Sequence, residues 1–64
     1  MTDDHQPRFV IYRDSGGEWR WRFVAGNGRT MADSGEGYTE RNDCREAITT
    51  FVADSFTAPV HVED

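Results

Sequence analysis

Cys44, His5 and His61 are the residues that a metal or a nucleophilic mechanism would draw on first, and their spacing serves neither. There is no CxxC or HxxxH pair, and no acid or nucleophile accompanies either histidine. Catalytic and metal-ligating residues are therefore expected to be none, and no cofactor is expected. Cys44 lies on an apolar stripe, where a thiol is inert; a reactive one needs an electropositive, partly open site. Two other stretches carry more promising chemistry. "EWRWRF" (18–23) interleaves two tryptophans and a phenylalanine with two arginines, a pattern for stacking bases and holding phosphates. "SGEGY" (34–38) offers a backbone that a ligand can approach closely, with Glu36 and Tyr38 as polar contacts. Its glycines lack the spacing of a phosphate-cradling loop.

The elements that must position these residues decide between the readings. "RFVIYR" (8–13) is β-branched and aromatic and reads as a strand. "DSGG" (14–17) is a turn signal. "EWRWRFVA" (18–25) alternates apolar and polar residues, the period of a half-buried strand. Asn27-Gly28 then predicts a two-residue type I′ hairpin turn, followed by a weaker strand, "TMADS" (30–34). That turn sets a register: Gly26 faces Arg29, Ala25 faces Thr30, Phe23 faces Ala32, Arg22 faces Asp33 and Trp21 faces Ser34. Arg22 and Asp33 are then expected to form a favourable cross-strand pair.

Residues 39–55 read as a helix with Thr39 as N-cap. Cys44, Ala47, Ile48, Phe51, Val52 and Ser55 make one continuous stripe along it. "GEGY" is then a strand-to-helix connection, with Gly35 and Gly37 at positive φ and Tyr38 anchoring the start of the helix. Pro59 ends the helix, and "VHVE" (60–63) alternates like a short last strand. The order is β-β-β-α-β, an antiparallel meander with one helix on one face.

In this frame Trp19, Trp21 and Phe23 share a strand face, and the helix stripe needs an apolar surface to pack on. Phe9, Trp19, Trp21, Phe23 and Phe51 are the expected core aromatics. Arg20 and Arg22 point to the other face, joined by Val10, Tyr12, Val24, Met31 and Asp33 when the first loop is Ser15–Gly17. Tyr12, Arg20, Arg22, Glu36 and Tyr38 are the candidate partner-binding residues.

Charge bears on the partner. Twelve acidic residues stand against seven basic ones, all arginine, for a net charge of −5. That is the wrong footprint for phosphate backbones, so nucleic acid is an alternative rather than the favoured partner. An acidic, lysine-free surface fits a halophilic protein, since carboxylates keep a surface hydrated and molar salt screens their repulsion. No apolar run nears the ~20 residues of a membrane span. The opening "MTDDHQPR" lacks the basic and apolar regions of a signal peptide. A disordered lead over 1–7, one domain over 8–64 and a cytoplasmic location are expected, the single cysteine fitting a reducing compartment.

The ordered set of motifs resembles the uncharacterised YegP-like proteins. The matching positions are Phe9, Ile11 and Tyr12; Trp19 to Arg22; Ala25, Asn27 and Gly28; Ala32 with Ser34 to Tyr38; and the helix that follows. The resemblance covers about residues 8–56 and is that of a single-repeat member. It implies units that join into a shared sheet with exchanged carboxy-terminal strands, hence a homodimer here. No biochemical activity comes with it. Physics agrees on the dimer: in a chain of 64 residues the gain from burial roughly cancels the cost of ordering. The expected function is a non-enzymatic interaction or accessory module. The alternatives are nucleic-acid binding on the open sheet face and a small-molecule site at the SGEGY loop.

Overall fold

The computed structural model describes residues 6–63. The expected lead over 1–7 and His5 therefore lie largely outside the described residues; Gln6 and Pro7 are exposed. Strand β1 spans Arg8–Arg13, β2 Trp19–Val24 and β3 Thr30–Asp33, and helix α1 spans Arg41–Thr57. The strands form one antiparallel sheet in the order β1-β2-β3, so β1 and β3 are its edges.

The first hairpin has the expected loop, Ser15–Gly17. Asp14 N–H donates to the Glu18 carbonyl at 2.8 Å and Gly17 N–H to the Asp14 carbonyl at 3.0 Å. The Asp14 carboxylate stiffens the loop by accepting from the Gly16 and Glu18 N–H groups, each at 2.9 Å. Pairing then runs Arg13↔Trp19, Ile11↔Trp21, Phe9↔Phe23 on one face and Tyr12↔Arg20, Val10↔Arg22 on the other.

The second hairpin corrects the expected type I′ turn. Ala25 N–H bonds the Arg29 carbonyl at 2.8 Å, Gly28 N–H bonds the Ala25 carbonyl at 2.9 Å, and the loop is Gly26–Gly28. A type I′ turn needs positive φ at Asn27 as well as Gly28. Among the described residues only glycines take positive φ, here Gly28 at 87°. The three-residue loop needs one such position and glycine fills it. Val24 consequently pairs with Thr30, where the shorter loop would pair Ala25 with it. A bulge at the Phe23/Val24 step then absorbs Met31, and the expected Phe23↔Ala32 and Arg22↔Asp33 pairs return.

Helix α1 begins two residues later than the sequence suggests. Glu40 is its N-cap, replacing Thr39, and makes no side-chain cap bond. Its stripe is buried unevenly. Cys44 is fully buried, Ala47 and Ile48 are half-buried, and Phe51 and Val52 are 39% and 48% exposed. The helix lies over β1 and β2 but does not reach β3. The core sits under the stretch from Cys44 to Phe51: Trp21 is buried, with Phe51 at 5.0 Å and Phe9 at 5.5 Å between ring centroids. Phe9 in turn packs on Phe23 at 4.9 Å.

The expected last strand does not form within one copy. Residues 58–63 have no regular structure, and Val60 and Val62 are 91% and 86% exposed. A strand needs a hydrogen-bonded neighbour, and this segment leaves the helix with none beside it. The observed fold is thus α+β with three antiparallel strands and one helix.

Candidate functional site

Two larger concave surfaces flank α1, with a smaller hollow between the helix and β1. The first is apolar. Where the helix stops short of β3, Phe9, Phe23, Ala32 and Met31 face Val52 and Phe56 across a groove of about 480 Å³. Met31 and Phe56 are 68% and 89% exposed. A smaller hollow of about 320 Å³ runs beside edge strand β1, between Phe9 and Ile11 and the helix residues Arg45, Ile48 and Thr49.

The second is a polar cleft of about 780 Å³ at the start of α1, lined by Ile11, Trp19, Glu40, Arg41, Asn42 and Arg45. Trp19 is its wall. Its backbone is held from both sides: Arg13 pairs with it in the sheet, and on the far side it exchanges two 2.8 Å hydrogen bonds with Tyr38. Guanidinium groups lie over its ring, Arg13 at 5.3 Å and Arg41 at 5.8 Å from the centroid. Trp19 is half-buried, so this expected core aromatic forms the edge of the core and a cleft wall together. Trp21 is the central one. Its indole Nε1 is buried and has no hydrogen-bond partner among the described residues. Phe9 and Phe23 are half-buried, and Phe51 is the most exposed of the five.

The candidate partner-binding residues do not converge. On the open face Arg20 Nε donates to Asp14 Oδ2 at 2.5 Å. This bond, followed by that from the Glu18 N–H, holds the Asp14 carboxyl below its ordinary range, and the same Arg20–Asp14 bond holds the guanidinium above its own. Arg22 lies over the Tyr12 ring at 4.9 Å. Its Cα partner is Asp33 as expected, but the side-chain ion pair does not form: the only pair among the described residues is Arg20–Asp14. The ring of Tyr12 offers the guanidinium a less hydrated seat than the exposed carboxylate does.

Glu36 and Tyr38 meet each other, the Tyr38 hydroxyl donating to Glu36 Oε2 at 3.0 Å. Burial, then this bond, pushes the Tyr38 phenol up. Gly35 takes a φ of 72° as expected, whereas Gly37 does not take positive φ. Gly37 is needed for a different reason: a Cβ there would stand 2.8 Å from the Glu18 Cβ. Cys44 is buried, and burial raises its thiol, as an inert cysteine requires. His61 is exposed and His5 lies outside the described residues. No helix among the described residues is long and apolar enough to cross a membrane.

The sequence reading missed Arg13, Arg41 and Arg45 as neighbours of Trp19. The i, i+4 spacing of Arg41 and Arg45 was the available signal, and it could not be placed until the helix was docked. It also missed Asp14, whose place before Ser-Gly-Gly marks an Asx-type turn.

Comparison with known proteins bears on these surfaces. The family described as a domain of unknown function, DUF1508, matches residues 14–61. UPF0339 protein NMB1088 of Neisseria meningitidis serogroup B is 40% identical over 52 residues, which cover 81% of this chain and 91% of that protein. UPF0339 protein Atu0232 of Agrobacterium fabrum is 44% identical over 48 residues, 75% of this chain and 76% of that protein. The solution structure of a protein from Haloferax volcanii is similar with a TM-score of 0.84 at 30% identity, covering 92% of this chain and 98% of that one. That of protein ATU0232 from Agrobacterium tumefaciens gives 0.69 at 34% identity, with 89% and 90% covered. Sequence motifs, fold and relatives agree, and the chain belongs to the DUF1508 family, the uncharacterised YegP-like proteins.

Proposed function

We propose that this protein is a non-enzymatic interaction module that works as a homodimer. The carboxy-terminal segment of each copy lies against the helix–sheet groove of the other. The observation that carries the reading is the uncovered apolar surface running from Met31 through Phe51, Val52 and Phe56. In the same chain Val60 and Val62, two residues apart and both exposed, supply an alternating segment with nothing to pack on. A segment of that pattern adds naturally to a free strand edge, its alternate side chains filling an adjoining hollow. Edge strand β3 offers the edge, and the groove of Phe9, Phe23, Met31 and Phe56 lies beside it. Burial of both features would supply what a chain of this size lacks.

The acidic, lysine-free surface supports a halophilic setting within a cell, for the reasons of hydration and screening given above. The alternatives gain less. Arg20 and Arg22 are engaged by Asp14 and Tyr12, which leaves the open face poorly equipped for phosphates. Glu36 and Tyr38 are spent on each other at the SGEGY loop. Light scattering during gel filtration tests the proposal. A mass of twice 7.3 kDa at micromolar concentration is expected, and deletion of residues 59–64 should abolish it. A cooperatively folded monomer across that range would refute it.

A further inference from the structure

We propose that the cleft at the start of α1 binds a small phosphate monoester, held by the guanidinium forks of Arg41 and Arg45 against the wall formed by Trp19. Of seven basic residues, Arg41 and Arg45 line this cleft, and Arg13 lies over the ring of Trp19, its wall. The chain carries twelve carboxylates, yet the single ion pair among the described residues is Arg20–Asp14. None of the three guanidinium groups has a described carboxylate partner within ion-pair distance, although Glu40 lines the same cleft. In the lining of the cleft two guanidinium groups stand against one carboxylate, Glu40, a balance opposite in sign to the net −5 of the chain.

The arrangement is also prepared for an oxyanion. Arg13 is fixed by its ring contact and by donating from Nε to the Gly17 carbonyl at 3.2 Å. Arg41 rests on the same ring, and Arg45 follows one turn later on the same helix. Guanidinium forks match the geometry of phosphate oxygens, and rings that seat them lower the cost of ordering. The first N–H groups of α1 face no side-chain cap, since Glu40 makes none, so they remain open to an anion, with Asp43 in the first turn offsetting part of the helix's positive end. A volume of about 780 Å³ lies in the range of small-ligand sites.

Ligand size follows from charge. The attraction is confined to one cleft on a surface of net −5, so a long polyanion would lie partly over like charge. A compact ester escapes that. The inference does not depend on the dimer, and the site is separate from the open sheet face and the SGEGY loop.

The test is a ¹⁵N-correlated NMR titration of the full chain with phenyl phosphate, inorganic phosphate and a single-stranded oligonucleotide, with potassium chloride of equal ionic strength as control. Saturable shifts are expected at the Trp19 indole and at the Nε–H of Arg41 and Arg45, with Arg20 and Arg22 unmoved. Arg41→Gln and Arg45→Gln should each weaken binding about tenfold, the loss of one contact to a charged group. Their spectra show at once whether the fold is kept, and Arg→Lys at the same positions should restore part of the affinity. Shifts with inorganic phosphate equal to those with the ester would keep the anion site and assign it to free phosphate. Absence of saturable shifts, shifts matched by chloride, shifts centred on Arg20 and Arg22, or tighter binding of the oligonucleotide per phosphate would each overturn the proposal.

Discussion

Phe56→Ser separates a surface that is merely exposed from one that is covered by a twin. In a single copy Phe56 is 89% exposed. Serine and phenylalanine have similar helix propensities, so the local helical contribution is nearly unchanged. A monomer should therefore respond by no more than about 0.5 kcal/mol, the usual range for surface substitutions. In the proposed dimer the ring is buried, and burying a phenylalanine contributes about 1.5–3 kcal/mol. A two-fold interface contains the residue twice, so the dimer loses about 3–6 kcal/mol. That weakens dimerisation by roughly 10²–10⁴. Sedimentation equilibrium gives the constant directly. Thermal unfolding at two concentrations gives a second reading, because the Tm of an associating protein rises with concentration. Thr50→Ser, at an exposed helical position, is the control and should behave as the parent. If Phe56→Ser leaves both the molar mass and the concentration dependence of Tm untouched, the groove is not an interface and the argument fails.

Gly37→Ala should destabilise the fold by about 1–3 kcal/mol in urea titrations, the cost of overpacking. The new Cβ would meet the Glu18 Cβ at 2.8 Å, and no rotamer change moves that atom away; an unchanged midpoint would count against the close approach. Asp14 has a folded-state pKa below its unfolded one, so its contribution is present above about pH 4 and fades as pH falls through the lower folded value. Asp14→Asn should accordingly lower Tm at neutral pH, and the gap from the parent should close in acid. A gap that persists at low pH would mean that the carboxylate's charge is not what holds Arg20. The excess of carboxylates predicts a Tm that rises from about 0.1 M to about 3 M KCl, as the screening length falls to roughly 3 Å and below. A flat profile would remove the halophilic reading.

The sheet was legible because two kinds of signal coincided. The alternation of Trp19, Trp21 and Phe23 fixed which face is buried, and Asp14-Ser15-Gly16-Gly17 fixed where the chain turns. Even the mistaken turn at Asn27-Gly28 led to the right partners for Arg22 and Phe23, because the bulge at Met31 compensates for the longer loop. Burial enforces that outcome: a slip carried through β3 would turn Ala32 away from Phe23 and put Met31 beneath it. Side-chain partners were far less legible. Arg22 faces Asp33 across the sheet yet lies over Tyr12, and Arg20 reaches back to Asp14. Long guanidinium arms have several seats within range, and strand register restricts them weakly.

The arginine cleft shows the same limit from the other side. Arg13, Trp19 and Arg41 come from the end of β1, the start of β2 and the start of α1. No periodicity within one element brings them together; the Trp19–Tyr38 bridge does, by fastening the chain ahead of α1 to the sheet. The helix stripe itself was read correctly, but its burial fades from Cys44 to Phe56 because three strands end before the helix does. A hydrophobic stripe states that a face wants cover without stating whose. Here the chain's own Trp21 and Phe9 cover the stripe as far as the Phe51 ring, and the rest, Val52 and Phe56, faces the same solvent as Val60 and Val62. In the proposed dimer the tail of one copy covers that remainder on the other; a chain that works alone could end its helix soon after Phe51, which Trp21 already seats.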